Sequence, residues 1–374
     1  MFSESYIIDA SGDYRHRRDI AVVDVHKTTN DLSSWHTVVL VRNADLTTKV
    51  LELLNASDEL AGAVHTLCVQ GTFDPQLSLG MCELLVKALS KMSRLEKLTL
   101  GEGFHGPLVL ASLCAQEESN LRSLTLCIGP VEDDEDLSVL QDLKLRTGKL
   151  VSFCIEYAGY LPQAYTAALG RLIETSAHTI ANLILHTFGP TAPAILRNVA
   201  ILPALESLDM WESDLMHDYV TCLSSACPTV KHLNLSCTLL RESFDNIRKL
   251  QSLAQRFPSL VELSLYFAEP DMPQVPTALV LKGLMDVLSL WPKLRYVAID
   301  AWSVSNPWEG VHDVEEFNAE CLRHCPSLEE MYFAYKGGNQ HWPLQVYAKS
   351  GDSDGMYKES SDDGQEDTYD STDC

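Results

Sequence analysis

Hydrophobic residues recur along the chain in triplets that occupy positions 1, 4 and 6 of a short segment. Positions 4 and 6 follow the period of two expected of a strand with one buried face, and position 1 would pack where the chain joins the strand. Ten steps separate the first triplet, at residue 35, from the last, at residue 328, an average of about 29 residues per repeat. The eleven triplets begin at Trp35, Val64, Leu95, Leu121, Leu150, Ile180, Leu205, Val230, Leu260, Leu294 and Leu328.

Between the triplets lie stretches whose hydrophobic residues have the spacing of a helix with one buried side. Two examples are residues 77–92 and 243–257. The first has Leu79, Cys82, Leu85, Ala88 and Leu89 on one side, and the second has Phe244, Ile247, Leu250, Leu253 and Ala254. The pattern therefore predicts units of strand, turn, helix and turn.

A proline marks the approach to five consecutive triplets. It stands two residues before position 1 and follows a hydrophobic residue or a cysteine. The pairs are Leu202-Pro203, Cys227-Pro228, Phe257-Pro258, Trp291-Pro292 and Cys325-Pro326. Because proline cannot continue a helix and disfavours helical backbone in the residue before it, each helix should end at a fixed distance from the next strand. The residue before each proline is expected to pack on the helix side of the core.

A single unit cannot bury both its strand face and its helix, but stacked units share one continuous core. The repeats therefore predict an α/β solenoid with a parallel sheet on the concave side and helices on the outer side. The alternative is an ordinary αβ sandwich, whose strands would be covered on both faces and hydrophobic throughout. The short, half-polar strands of this chain favour the solenoid.

The charge is strongly negative, with 28 basic and 52 acidic residues and a net charge of −24. Nucleic-acid binding needs a basic surface, and anionic membranes attract basic segments, so neither kind of partner is expected. Residues 350–374 hold nine carboxylates against Lys358 and contain no Val, Ile or Leu. Such a composition cannot bury enough hydrophobic surface to fold. We expect an N-terminal capping segment at 1–34 with a strand at 20–25, a solenoid at 35–345 and a disordered acidic tail at 346–374.

Several features predict a reduced, intracellular environment, either cytoplasmic or nuclear. The N-terminus shows no secretory signal, and the longest hydrophobic run, residues 277–291, is interrupted by Lys282 and Asp286. The eleven cysteines are scattered without a CxxC pair, as expected of buried thiols. Cys321 and Cys325 have the spacing of half a metal site, although no second half follows. The basic run at 15–18 could serve nuclear import or be a solvated part of the cap.

The repeats resemble leucine-rich repeats of the helix-bearing, ribonuclease-inhibitor-like kind, and more narrowly those of fungal F-box/leucine-rich-repeat proteins. Residues 31–71 carry this resemblance best, with SSWHTVVL followed by LLNASDELAGAVHTLCV. It implies a horseshoe of about eleven irregular repeats and a substrate-recognition role in ubiquitin ligases, with cullin–RING components as partners.

The chain departs from this family pattern in two places. Position 9 should be Asn or Cys, but only the first repeat complies, with Asn43, so a continuous asparagine ladder cannot form. The F-box itself is not evident, because residues 1–34 contain no Pro and no Leu before Leu32. The ligase role is therefore implied by the resemblance and not by residues of an F-box.

In leucine-rich repeats the variable positions 2, 3, 5 and 7 face the concave surface, and here the carboxyl half places aromatic and acidic residues there. Tyr and Trp dominate many interface energies because they bury much area with few rotatable bonds. The candidate protein-binding residues are Asp209, Trp211, His232, Asn234, Ser264, Tyr266, Tyr296, Asp300 and Tyr332. The alternative is that Trp211, Phe267 and Trp302 fill the turns after their strands in place of the asparagine ladder.

The chain contains no GxSxG, HExxH, Walker A or kinase signature, and no catalytic, cofactor or metal site is expected. His105 is read as a turn residue and His186 as a surface or core histidine. The sequence thus predicts a non-catalytic protein-interaction module. It acts either in substrate recognition, as the resemblance implies, or as a free-standing acidic scaffold or inhibitor that binds a basic protein.

Overall fold

A computed structural model describes most of the repeat region of the chain. The described residues are 7–8, 14–15, 32–40, 44–69, 75–101, 109, 112–113, 120–128, 149–158, 161–187, 191–196, 202–211, 227–236, 251, 254–266, 288–301, 319, 321–335 and 338–343. The predicted acidic tail, the predicted strand at 20–25 and His105 lie outside them.

Within the described residues, one sheet holds twelve strands in the order of the chain. The strands are β3 (Thr37–Leu40), β4 (Thr66–Val69), β5 (Lys97–Leu100), β6 (Ser123–Cys127), β7 (Ser152–Ala158), β8 (Asn182–Thr187), β9 (Ser207–Trp211), β10 (His232–Ser236), β11 (Glu262–Tyr266), β12 (Tyr296–Ala301), β13 (Glu330–Tyr335) and β14 (Gly338–Pro343). Strands β3 to β13 are parallel, and β14 returns antiparallel to β13. Two further strands, β1 (Ile7–Ile8) and β2 (Tyr14–Arg15), pair separately in the N-terminal segment.

The described helices lie between these strands. A short 3-10 helix spans Leu32–Trp35, and the α-helices are α1 (Ala44–Ala56), α2 (Asp58–Ala63), α3 (Pro75–Lys91), α4 (Gln163–Thr175) and α5 (Thr191–Leu196). The helix predicted at 77–92 is confirmed as α3, with Cys82, Leu85, Ala88 and Leu89 buried. Most of the helix predicted at 243–257 lies outside the described residues. No helix in the described part is long and hydrophobic enough to cross a bilayer.

The hydrophobic triplets stack in register through the sheet. Every position 4 residue, from Val38 to Met331, is paired with position 4 of the next strand, and position 6 aligns in the same way from Leu40 to Phe333. All eleven position 1 residues are buried and belong to the same hydrophobic core as the buried side of the helices. This arrangement confirms the predicted α/β solenoid of leucine-rich-repeat type.

Backbone hydrogen bonds join the repeats just before each strand. The carbonyl of each position 2 residue accepts the amides of positions 2 and 3 of the next repeat, at 2.7–3.1 Å. This pair of hydrogen bonds recurs at all ten boundaries between β3 and β13, from the His36 carbonyl in the first repeat to the Glu329 amide in the last. Because these bonds use only main-chain atoms, any residue except proline, which lacks the donating N–H, can occupy position 2 without breaking the junction between repeats.

The five prolines lie in tight turns that lead into the strands. In each, the amide of the position 1 residue donates to the carbonyl of the residue before proline, at 3.0–3.4 Å. Proline thus takes the second place of a four-residue turn, where its fixed φ is favourable. The residue before each proline is buried, as predicted.

Side chains that lie just before the strands also bond to the preceding repeat. Trp291 Nε1 donates to the Phe257 carbonyl at 3.0 Å, and the Cys325 thiol lies 3.7 Å from the Trp291 carbonyl. Thr179 Oγ1 and Asn120 Nδ2 make comparable bonds at 2.7 and 2.9 Å to earlier repeats. Side-chain to backbone hydrogen bonds therefore join some of the repeats at residues that precede the strands in the chain. In the family pattern the asparagine ladder follows the strands. Burial raises the pKa of the Cys325 thiol, in keeping with a core role.

Strand β14 was not predicted from the sequence. Its residues GNQHWP lack the 1-4-6 triplet, and the strand pairs with β13 from Glu330↔Pro343 to Tyr335↔Gly338. Only residues 336–337 connect the two strands, as is usual in a β-hairpin. An antiparallel strand occupies the sheet edge that another parallel repeat would need.

Replacing Trp291 with Phe should destabilise the solenoid by about 1.5–3 kcal/mol, through a smaller buried side chain and a lost hydrogen bond. The Phe257 carbonyl would keep only its longer bond, 3.4 Å, from the Leu260 amide. The free energy of unfolding, measured by urea denaturation, checks this expectation. Leu290→Ala is the matched control, since Leu290 is 43% exposed and its loss should change stability by less than about 0.5 kcal/mol. Equal effects of the two substitutions would contradict the role assigned to Trp291.

Candidate protein-binding surface

The sheet has a second face, opposite the core, formed by positions 3, 5 and 7 of each strand; we call it the 3-5-7 face. All nine predicted binding residues occupy these positions in β9 to β13. Because successive residues of a strand alternate between faces, the buried position 4 residues of β9 to β13 assign positions 3, 5 and 7 to the opposite side of the sheet. Sequence spacing was sufficient to group these nine positions.

The register brings seven of the nine candidates into two rows, and the other two, His232 and Tyr296, lie at position 3. Along position 5, Asp209, Asn234, Ser264, Ala298 and Tyr332 are successive backbone partners. Along position 7, Trp211, Ser236, Tyr266 and Asp300 are successive partners. The side chains of Asp209, Asn234, Ser264 and Tyr332 are half-buried. For Trp211, Tyr266 and Asp300 only the backbone position is described, and Phe267 and Trp302 lie outside the described residues. The alternative that Trp211, Phe267 and Trp302 fill the turns after their strands therefore stays a prediction.

Two contacts between acidic and basic side chains of neighbouring repeats lie along positions 2 and 3 of the carboxyl half. Lys231 Nζ lies 3.0 Å from Glu206 Oε1, and His232 Nδ1 lies 2.7 Å from Glu262 Oε2. Each pair joins position 2 to position 2 or position 3 to position 3 of adjacent repeats. His232, a predicted binding residue, therefore already contacts a carboxylate of its own chain.

A third pair, at the carboxyl end, includes the predicted residue Tyr296. Arg295 bonds both oxygens of Glu329, with Nε to Oε1 at 2.8 Å and Nη2 to Oε2 at 2.5 Å. Tyr296 donates its hydroxyl to Glu329 Oε2 at 3.0 Å, and the Arg295 guanidinium lies 5.2 Å from the centre of the Tyr296 ring. The hydrogen bond from Arg295 lowers the pKa of Glu329, and bonding to Glu329 raises the pKa values of both Arg295 and Tyr296. These contacts fix the orientation of an aromatic side chain on the 3-5-7 face.

A separate polar cluster lies at the centre of the sheet and was missed by sequence reasoning. Glu156, at position 7 of β7, accepts hydrogen bonds from the thiols of Cys127 at 3.3 Å and Cys154 at 3.9 Å. The pairing of β7 with β8 shifts between Ile155 and Ala158, so Glu156 lies within a bulge. The alternation of polar and hydrophobic residues carries no sign of such a bulge.

Burial, followed by the charge of Glu156, raises the pKa of the Cys154 thiol. The thiol is therefore neutral near pH 7 and has little of the thiolate character that nucleophiles and metal ligands need. In the part of the chain that the structure describes, no group of three His, Cys, Asp or Glu side chains is arranged to hold a metal ion.

His186 and Asp209 form the neighbouring part of this cluster. His186 Nε2 lies 3.1 Å from Asp209 Oδ1, and both side chains are mostly buried. The predicted binding residue Asp209 is the backbone partner of Ile184 in β8 and of Asn234 in β10. His186 was read from the sequence as a surface or core histidine, and its contact with Asp209 could not be foreseen without the register of β8 and β9.

Comparison with known proteins adds a fold-level likeness. No model of a protein family matches the chain, and no curated protein matches it. A similar solved structure is that of the leucine-rich repeat-containing protein LegL7 from Legionella pneumophila. It has 16% sequence identity and a TM-score of 0.45, and the match covers 76% of this chain and 91% of that chain. Because this likeness is distant, the fold is assigned from the in-register parallel strands of the chain itself.

The Arg295–Glu329 contact should be visible as a depressed pKa of Glu329 in an NMR titration of the side-chain carboxyls. Because the folded pKa lies below the ordinary value, this group stabilises the fold above its unfolded pKa of about 4.3 and loses that contribution as pH falls through the folded pKa. Arg295→Gln should return the pKa of Glu329 towards its ordinary value. Lys231→Gln, which removes the pair with Glu206, is the control and should leave Glu329 unchanged. A Glu329 pKa that does not respond to Arg295→Gln would contradict the contact.

Proposed function

We propose that this protein is a non-catalytic recognition module that binds another protein on the 3-5-7 face of β9 to β13. The observation that carries the proposal is the in-register alignment of Asp209, Asn234, Ser264 and Tyr332 on neighbouring parallel strands. Such rows are held by the hydrophobic core beneath them, so they offer a partner a surface that needs little ordering on binding. The oriented Tyr296 ring adds an amphipathic contact of the kind that interfaces favour.

The charge of the chain suggests that the partner is basic. The net charge is −24, and removing the nine carboxylates and one lysine of residues 350–374 still leaves −16. An acidic surface accelerates association with a basic protein and repels nucleic acid and anionic lipid. Among the described residues, the Cys154 thiol is neutral, and His232 and Glu329 already contact other side chains of the chain.

Two roles are compatible with such a surface. The resemblance of residues 31–71 to F-box/leucine-rich-repeat proteins supports substrate recognition for a ubiquitin ligase. The acidic charge supports a free-standing scaffold or inhibitor that binds its partner by electrostatic attraction. Co-purification with cullin–RING components supports the first role. Affinity that falls steeply with salt supports the second, because screening weakens exposed charge pairs.

The proposal is tested by isolating a partner from native lysate, identifying it and measuring its affinity for purified variants. Trp211→Ala and Tyr266→Ala should each weaken binding by about 2 kcal/mol, roughly thirtyfold, as for aromatic anchors elsewhere. Leu290→Ala is the matched control, because it truncates an exposed hydrophobic residue outside the 3-5-7 face. Unchanged affinity of both aromatic variants, with normal folding by circular dichroism, would refute this binding surface.

A further inference from the structure

Two histidines stand side by side at the amino-terminal end of the solenoid. His36 and His65 occupy position 2 of the first and second repeats. Their rings are stacked, with centroids 4.3 Å apart and planes inclined by 11°. The His36 side chain is exposed, and that of His65 is 28% exposed. The sequence carries no metal-binding spacing here, because the two residues become neighbours only through the pairing of β3 with β4.

The backbone holds the two histidines in this relation. The His36 carbonyl accepts the amides of His65 and Thr66, both at 3.0 Å, and the His65 carbonyl accepts the amides of Glu96 and Lys97 at 2.8 and 3.0 Å. Both residues are therefore fixed at junctions between repeats. A ligand that needs both imidazoles would meet a backbone that is already ordered, so its binding costs little conformational entropy.

A carboxylate lies on the other side of His65. Glu96, at position 2 of the third repeat, places Oε1 3.9 Å from His65 Nδ1, and His65 lies between Glu96 and His36 in this row. In metal sites the histidine nitrogen that does not bind the metal commonly donates its N–H to a carboxylate, which sets the tautomer and makes the ring a better ligand. The distance would have to shorten by about 1 Å for this hydrogen bond. Nδ1 of His65 would then face Glu96 and leave Nε2 for a metal.

We propose that His36 and His65 together bind one divalent transition-metal cation of the group Ni²⁺, Cu²⁺ and Zn²⁺. Imidazole nitrogen is a suitable ligand for all three ions. A metal bonded at about 2.0–2.1 Å to each nitrogen can join nitrogens that are up to about 4 Å apart, close to the separation of the stacked rings. Because the lone pairs lie in the ring planes, the rings must tilt towards each other, and the exposed His36 side chain has room to do so.

The site provides two protein ligands. Among the described residues no third His, Cys, Asp or Glu side chain is arranged to complete a metal group, so water or a side chain of a partner would fill the other positions. The net charge of −24 raises the concentration of cations near the protein. The site lies on the repeats of β3 and β4, far along the sheet from β9 to β13, and does not rest on the proposed function.

The test is isothermal titration calorimetry of the full chain with Ni²⁺, in a buffer that does not bind metals. His36→Gln and His65→Gln should each weaken the tightest binding event by about tenfold or more, because either change removes the second ligand of the pair. The double variant should show little further loss. His178→Gln is the matched control, since it removes an exposed histidine from the turn after α4 and should leave affinity unchanged. Unchanged affinity of both single variants, or an equal loss in the control, would overturn the inference.

NMR with substoichiometric Ni²⁺ locates the bound ion, because a paramagnetic ion broadens the signals of nearby residues. The amide signals of Thr37 and Thr66 should broaden first, that of Glu262 should not, and His36→Gln should abolish the difference. Preferential broadening elsewhere in the chain would also overturn the inference.

Glu96 is assigned a positioning role, through His65. Glu96→Gln should weaken Ni²⁺ binding by about tenfold and leave the same amides broadened, because the metal site would be weakened and not moved. Trp211→Ala should bind Ni²⁺ as well as the unaltered protein, so failure of the metal site and failure of the protein-binding surface are distinguishable.

Discussion

The structure depends on one constraint: the hydrophobic positions of a repeat can be buried only against those of its neighbours. A strand of four to seven residues cannot form a core by itself, and the helices beside it have only one hydrophobic side. In-register stacking of positions 1, 4 and 6 satisfies all repeats together, and the paired backbone bonds at position 2 hold neighbouring repeats at a constant offset. The distances between side chains of neighbouring strands on the 3-5-7 face are set by this arrangement.

The hydrophobic rhythm was enough to predict the strands from β3 to β13, because each triplet is a local signal repeated eleven times. The prolines were recognised as helix ends, but their hydrogen-bonded turns were not predicted. The side-chain bonds of Trp291 and Thr179 could not be predicted either, because their acceptors belong to the previous repeat. Strand β14 escaped prediction because its stability comes from pairing with β13 and not from a triplet of its own. The predicted roles of the N-terminal segment and the acidic tail remain predictions.

The candidate surface was predictable in position but not in chemistry. Alternation assigns Asp209 and Tyr296 to the same face, but their surroundings depend on which residues of other repeats stand beside them. The partners of Glu329 and Glu262 lie 34 and 30 residues away along the chain. A sequence shows that acidic residues are abundant, whereas the register shows which of them already have a basic neighbour. Glu206, for example, lies beside Lys231, whereas Glu156 accepts hydrogen bonds from two thiols.

The antiparallel return of β14 has a consequence for how such an array can change length over evolutionary time. A new repeat parallel to β13, appended after residue 343, would have to pair antiparallel with β14 and could not reproduce the parallel junction that joins β3 to β13. A repeat duplicated upstream of β13 would meet the same paired backbone bonds at position 2 on both of its sides. The hairpin therefore marks the carboxyl-terminal edge of the parallel array, and a repeat inserted before it keeps the existing pairing.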